Sequence, residues 1–528
     1  MPSHAVAVEP HVAPSRWVHF LIPSVTDLLF AALLLGLSCG ALGRLLLRDA
    51  SIGWHIRNGQ QMLLTHAVTR TDPFSFTMAG QTWYAWEWLY DLLIAIIHHV
   101  MGLNGVVFYT AAVVAATFVL TLHLALRDHG NLPVTLFLLI LSLGASAVHF
   151  LARPHVVSWL FTVIWFSLLD SAQQHPAQRK NLRWLPALMV LWVNLHGGFL
   201  LGFVLLGVYL LAALGSYLTS APPRDEARQW LKSLSVYGAF AFAASFVNPY
   251  GYHLHLHVWR YLSDQFLMNH ITEFFSPDFH GAAQQCFAVL LIIAIGVLAF
   301  SARRPSAARM MVVVVAAYSG LYATRSLPTS ALLITLVIAP LASQALSEAG
   351  QNPNIARWLR GLFSRLDSFG VRMGKLEVQF RGHLWLVLVF VLGLVACVNH
   401  GRLGSEQFIH AYFDDQRFPV ESAGFIAQGQ IRQPIFSLDY WGGYLIYRLY
   451  PQTKVVVDDR HDLYGAQFLQ DYLKIMLVQQ GWERELDEKQ VNWVLVPSES
   501  SLANIMRLTP EWTISHQDRT AILLHRAK

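Results

Sequence analysis

Between long apolar runs, the sequence keeps its ionisable residues in a few short, dense segments. The longest, 48–104, contains RDASIGWHIRNG, TRTDPFSF and WYAWEWLYD, and sets Asp49, His55, Asp72 and Glu87 among tryptophans. Carboxylates and an imidazole beside an apolar medium are costly unless paired or hydrated, which makes them candidates for proton transfer or cation binding. A turn or helix cap at Asp72-Pro73 and an interfacial belt of Trp83, Trp86 and Trp88 are the alternative uses. ARPH (152–155) offers His155 and an Arg153 with no acid near it in sequence, and ATRSLP offers Arg325. A fixed guanidinium suits a phosphate or pyrophosphate through paired hydrogen bonds. Snorkelling to lipid headgroups would use the same residues.

Two segments combine helix breakers with polar side chains: NLHGGF (194–199), with Asn194 and His196, and NPYGYHLHLH (248–257), with Asn248 and Tyr250. Broken helices at membrane depth usually line a cavity. His253, His255 and His257 alternate as metal ligands on a strand would, but a wet interfacial segment accounts for them better. NHITEFFSPDFH (269–280) supplies Glu273 and Asp278. A carboxylate here could meet Asp49 across a helical bundle and share a divalent cation, Mg²⁺ or Mn²⁺. It could equally act as a general base toward an acceptor hydroxyl. Last come FSLDYWGGYLIYRLY (436–450) and VVVDDRHDLYG (455–465), with Asp439, Tyr440, Trp441, Asp459 and Arg460. Acids at strand ends face ligand crevices in α/β units, although turn and cap chemistry would also explain Asp439 and Asp462. No Walker A motif, GxGxxG, zincin motif, nucleophile elbow or nucleic-acid patch is present, so neither a nucleotide-driven pump nor a nucleic-acid partner is supported.

The elements that must position these residues follow from composition. Of 528 residues, 55% are hydrophobic and 13% charged, against roughly 25% charged in soluble domains. That surplus exceeds what one soluble core can hide, so soluble, disordered, fibrous and disulfide-rich secreted classes are excluded. The three cysteines lie in apolar runs, and the run from residue 25 lacks a signal-peptide cleavage site. Apolar runs at 25–47, 105–126, 133–151, 155–172, 184–196, 198–219, 234–247, 281–301, 309–324, 328–345 and 383–399 give eleven spans. The charged segment 85–101 is expected to be an amphipathic helix on the surface. With the N-terminus inside, most Lys and Arg before residue 400 fall in inner segments. All the candidate residues above then lie at the outer face. Half of the 32 acids lie in 400–528, where strands at 435–439, 454–459 and 492–497 and helices at 464–479 and 500–508 are expected. The expected organisation is a cytoplasmic tail (1–24), a membrane domain (25–399) with its first outer loop at 48–104, and an extracytoplasmic α/β domain (400–528).

An acid just after the first span, a long first outer loop and an outer soluble domain resemble the GT-C glycosyltransferase superfamily. ITEF (271–274) resembles the oligosaccharyltransferase loop that ends in a catalytic Glu, and LDYWGGY (438–444) followed by VVVDD resembles a degenerate WWDYG segment with its downstream Asp. WHIRNG, TDPFSF, WEWL, NLHGGF, NPYG and SPDF resemble the pattern set of a group of bacterial polytopic membrane proteins. The resemblance implies a GT-C-like membrane fold and transfer of a sugar from a polyprenyl-phosphate-linked lipid to a glycan, lipid or protein, on the outer face of the bacterial inner membrane. It implies that Asp49 is the first-loop carboxylate, Glu273 the second catalytic or metal carboxylate and Arg325 a lipid-phosphate binder, with Asp439 and Trp441 toward the acceptor. The family's acidic pair is missing from the turn 152–155, where Arg153 and His155 stand instead. A metal-free transferase acting on a hydroxyl therefore fits better than a sequon-reading one. The alternative is a non-catalytic protein of envelope biogenesis whose outer domain binds a glycan or a partner. A transporter would need polar residues along the span interiors.

Overall fold

The computed structural model describes residues 18–221, 223–380 and 382–527. Most of the expected cytoplasmic tail, residues 1–17, lies outside them, as does Arg381. A helix forms at each of the eleven apolar runs, but among the described residues only six are long and apolar enough to cross a bilayer: Trp88–Arg127, Leu132–His149, His155–Gln174, Phe199–Thr219, Ala282–Phe300 and Thr324–Gln351. A seventh is reached if Arg357–Gln379 and His383–Val398, bent by 68° between them, count as one span. The eleven crossings expected are thus not reproduced by length and composition. The first run breaks at Gly40, whose φ of 65° ends one helix at Ser38 and starts another. The run at 184–196 yields only Trp184–Leu195, because His196 is extended.

The segment 85–101, expected as an amphipathic helix on the surface, is helical from Trp88 and is separated from the apolar helix that follows by Gly102 at φ 58° and ψ −157°. Few residues other than glycine tolerate that geometry. This first part buries Tyr90, Asp91, Ile94 and Ala95, and it packs against the helix Ser51–Thr65, itself largely buried.

The C-terminal region lies on the end of the bundle that carries Asp49. A four-stranded sheet runs in the order Ile435–Ser437, Trp493–Pro497, Ala521–Arg526, Trp512–Gln517, the first pair parallel and the others antiparallel. The last two strands were not expected from the sequence. The expected strand at 454–459 makes only single bridges, from Val455 to Ser75 and to Ile435. Along the central strands, alternate side chains enter different cores. Leu495 and Leu523 join the core shared with the membrane helices, while Val494, Val496, Ile522 and Leu524 join one closed by the helices His461–Met476 and Ser501–Leu508. The helix Asp439–Leu449 meets Ser51–Thr65 at two glycines. A methyl on Gly53 would strike the Gly443 carbonyl, and one on Gly443 the Ala50 carbonyl. This close approach sets the C-terminal region against Asp49.

Candidate functional site

A cavity of about 890 Å³ opens where the bundle end, the 48–104 stretch and the C-terminal region meet. Asp49 immediately precedes the helix Ser51–Thr65 and accepts hydrogen bonds on Oδ1 from the Ser51 amide (2.8 Å) and hydroxyl (2.6 Å). Its Oδ2 lies 3.2 Å from Nη1 of Arg153, and the same Nη1 lies 2.5 Å from Oε1 of Glu273. Backbone bonds hold these segments in register. The Ala152 amide donates to Leu46 (2.8 Å), tying the Arg153 turn to the chain before Asp49. The Thr324 amide and hydroxyl both donate to the Phe275 carbonyl (2.9 and 3.0 Å), tying the Arg325 turn to the Glu273 segment. Arg325 stacks over the Phe274 ring at 4.6 Å and has no carboxylate within ion-pair distance among the described residues. Burial alone would raise the Glu273 carboxyl, but Arg153 and Arg325 hold it well below its ordinary range. Burial would lower the Arg153 guanidinium, and Asp49 and Glu273 instead raise it.

A third acid arrives from the C-terminal region. Asp459 accepts from the Trp54 indole (3.0 Å) and contacts the Ser51 hydroxyl, which also reaches Asp49. One hydroxyl carries one proton, so an oxygen of this chain must supply a second. Burial and the nearby Asp49 push the Asp459 carboxyl up. Deeper in the cavity, Glu87 stands between Nε2 of His55 (3.7 Å) and Nε2 of His196 (3.6 Å). Nδ1 of His55 meets Asp91 at 2.5 Å, and Nδ1 of His196 meets the Ser158 hydroxyl at 2.8 Å. Burial pushes Glu87 up to about 7 and His55 down to about 3, so the imidazole is neutral.

The remaining expected residues are placed differently. His155, Asp439 and Tyr440 line the cavity, with Asp439 held by His461 at 3.0 Å and Tyr472 at 3.2 Å. Arg460 reaches the wall, but its guanidinium is buried in ion pairs with Asp72 (2.8 Å) and Asp458 (2.7 Å), which clamp the C-terminal region to the first loop. Asp72 accordingly sits off the cavity, capping Phe74 and Ser75 as a turn residue would. His55 lies behind Glu87, not on the wall. Asn194 accepts from the Trp88 indole, Asn248 closes its own turn, and Tyr250 joins the Ala85 amide to the Thr69 carbonyl. Trp441 is buried and donates to the Arg417 carbonyl. Asp278 is exposed and pairs only with His280, two residues away on the same loop. His253, His255 and His257 fall on a helix, Tyr252–Ser263, not a strand; His255 bonds Ser245 and His257 bonds Asp462.

The arrangement does not fit the divalent cation considered from the sequence. Asp49 and Glu273 do meet, but on the Arg153 guanidinium. Among the described residues no group of three or more His, Cys, Asp or Glu side chains is placed to hold a metal.

No family model matches the chain, and no curated protein matches it in sequence. Solved structures do match in fold. The archaeal oligosaccharyltransferase AglB from Archaeoglobus fulgidus, in complex with an inhibitory peptide and a dolichol-phosphate, aligns with TM-score 0.54 and 12% identity over 90% of this chain and 69% of that one. An Archaeoglobus fulgidus oligosaccharyltransferase in complex with zinc and sulfate aligns with TM-score 0.50 and 11% identity over 90% and 68%. ArnT from Cupriavidus metallidurans aligns with TM-score 0.49 and 12% identity over 94% and 96%. The chain is similar in fold to the GT-C membrane glycosyltransferases.

On this GT-C-like frame, residues near the site that escaped the sequence reading include Ser51, His461, Arg48 and Arg417. Ser51, two residues after Asp49, carried a local signal, since a D-x-S turn places a hydroxyl beside its own acid. His461 stands beside residues that were singled out. Arg48 and Arg417 also line the cavity. Arg48 donates to the carbonyls ending the helix that precedes Arg153, and Arg417 donates to the Arg48 carbonyl. Arg48 adjoins Asp49 in sequence, whereas nothing in its sequence neighbourhood marks Arg417.

Proposed function

We propose that this protein transfers a sugar from a polyprenyl-phosphate-linked donor to a hydroxyl of a glycan, lipid or protein acceptor. In this reading the N-terminus is cytoplasmic and the cavity and C-terminal region face the outside of the bacterial inner membrane. The observation that carries it is the convergence of Asp49, Arg153, Glu273 and Arg325, from four distant segments, on one cavity of a GT-C-like fold. The complex of archaeal AglB with a dolichol-phosphate supports a lipid phosphate as the donor's carrier.

The donor phosphate sits against Arg325, whose guanidinium has no carboxylate partner, and against the Nε and Nη2 of Arg153, which make no hydrogen bond among the described residues. The acceptor enters beneath Tyr440 and Asp439. Its hydroxyl gives a proton to Asp49, with Asp459 and Ser51 as the second proton site. The acceptor oxygen bonds to the anomeric carbon as the carbon–phosphate-oxygen bond breaks on the opposite side, so configuration inverts. Charge that develops on the departing polyprenyl phosphate meets the arginines, already oriented before the reaction begins.

The test compares envelope glycans, glycolipids and glycoproteins by mass spectrometry in a deletion strain complemented with wild-type or Asp49→Asn protein. The proposal expects a sugar mass that is lost on deletion and restored only by wild type. Restoration by both proteins, or no lost mass, overturns it. Purified protein that binds undecaprenyl phosphate but transfers nothing would assign the fold to envelope biogenesis by binding alone.

A further inference from the structure

We propose that the Arg153 guanidinium is a built-in cation standing where a divalent metal would otherwise join Asp49 and Glu273, and that removing it uncovers a latent metal site. The inference deepens the functional reading above, since it assigns the cation on which the two carboxylates are organised. Its primary readout is metal binding, so it can fail while transfer stands, and the reverse.

Two carboxylate oxygens from segments far apart in sequence converge on a single nitrogen, Nη1, at 3.2 and 2.5 Å. A pair of acids drawn to one point is the arrangement by which Mg²⁺ or Mn²⁺ is held through one or two carboxylates, with waters completing the shell. Here that point carries a positive charge on a covalent arm. The arm is anchored at its base: the Ala152 amide is bonded to Leu46, Pro154 begins the next helix, and His155 Nε2 meets the His149 carbonyl at 2.8 Å. The base of the arm is thus fixed, and its guanidinium is held by the two carboxylates. A metal placed between the same oxygens would lie against it, and like charges at that separation repel strongly. Unlike a bound ion, an arginine does not exchange with the medium, and its planar fork leaves Nε and Nη2 to face an anion. The two carboxylates stay oriented on a fixed cation whatever the external cation concentration.

The experiment is Mn²⁺ titration of the purified full-length protein in detergent, followed by electron paramagnetic resonance and by thermal unfolding with and without EDTA. Wild type is expected to bind no stoichiometric Mn²⁺ and to unfold at the same temperature in either condition. Arg153→Ala is expected to bind one equivalent at least about tenfold more tightly than wild type, with two carboxylates as ligands, and to gain thermal stability from Mn²⁺ by mass action. Arg153→Lys, which keeps the charge, is expected to behave as wild type. Arg153→Ala combined with Asp49→Asn is expected to lose the binding. Stoichiometric Mn²⁺ on wild type that disappears in Asp49→Asn overturns the proposal, as does a folded Arg153→Ala that binds none. If Arg153→Ala does not fold without metal, purification in Mn²⁺ that restores folding supports it, and failure in Mn²⁺ as well overturns it. Turnover of wild type after EDTA treatment is the independent check, and a loss reversed by Mn²⁺ counts against a built-in cation.

Discussion

An arginine between two acids occurs at both ends of the same helices. At one end of His155–Gln174 and Ala307–Tyr322, Arg153 holds Asp49 and Glu273 beside the cavity. At the other, about 23 Å along the helix from His155 to Asp170, Arg309 holds Asp170 and Asp128. The second cluster is the more fully bonded. Arg309 grips Asp170 through both Nε (2.9 Å) and Nη2 (2.7 Å), and Asp170 also accepts from Tyr209 (2.9 Å) and Gln174 (2.6 Å). It borders only a narrow crevice of about 60 Å³. Each arginine shares one nitrogen between its two acids, but the first cluster makes no bond through Nε or Nη2 of Arg153 among the described residues, has beside it an Arg325 with no carboxylate partner among them, and faces a cavity some fifteen times larger. Similar residues thus make a more fully bonded clamp at one end and a more open cluster facing a cavity at the other.

The comparison can be broken by exchanging the expected effects. Asp49→Asn should lower transfer by about 10²- to 10⁴-fold, the usual range for a lost general base, with little change in melting temperature. Asp170→Asn should leave turnover per folded molecule near wild type. Equal loss of turnover in both variants would show that the far cluster is not merely a clamp. Stability should reverse the order: Arg309→Ala leaves two acids partly buried without their partner, and should cost about 3–5 kcal/mol in chemical denaturation.

The dependence of the cavity cluster on the C-terminal region can be sharpened next. Gly443→Ala pushes a methyl into the Ala50 carbonyl. It should destabilise by about 1–3 kcal/mol, the range for overpacking, and reduce transfer, while the contacts around Arg309 stay intact by crosslinking between cysteines placed there. Unchanged transfer would separate Asp459 from the reaction. Arg325→Gln should weaken retention of undecaprenyl phosphate by roughly tenfold, the worth of one charge-assisted hydrogen bond, and an unaltered dissociation constant would move the phosphate elsewhere.

The smallest effect is a pH dependence. The arginines depress the Glu273 carboxyl, so its contribution to stability is complete above the ordinary glutamate value of about 4.3 and is lost as pH falls toward its lowered one. Glu273→Gln should therefore flatten the acid side of a melting series below about pH 5. A wild-type slope retained in the variant would assign that side to other acids.

Much of the site was legible because charged residues next to apolar runs are conspicuous. Asp49, Arg153, Glu273 and Arg325 stand out by their positions alone. What was not legible is pairing. Arg153 has no acid near it in sequence, and its two partners lie 104 and 120 residues away. Asp278 had the same local credentials as Glu273, yet it points into solvent beside His280 while Glu273 turns inward. Arg460 read as a ligand contact and is a buried clamp, because Asp72 from the first loop reaches it. The strands Trp512–Gln517 and Ala521–Arg526 were missed because their neighbours come from the central strand Trp493–Pro497, and sheet pairing is not a local property.

By itself the sequence determined that this chain is a membrane protein with its candidate ionisable side chains gathered at the ends of apolar helices. That follows from composition and the cost of placing charge in hydrocarbon, both of which act residue by residue. Only the tertiary structure decided which acids meet which arginines, and so which cluster is a clamp and which faces a cavity. Ion pairing depends on distances of a few ångströms between segments a hundred or more residues apart. Those distances are set by how helices pack, by a pair of facing glycines and by backbone bonds between turns.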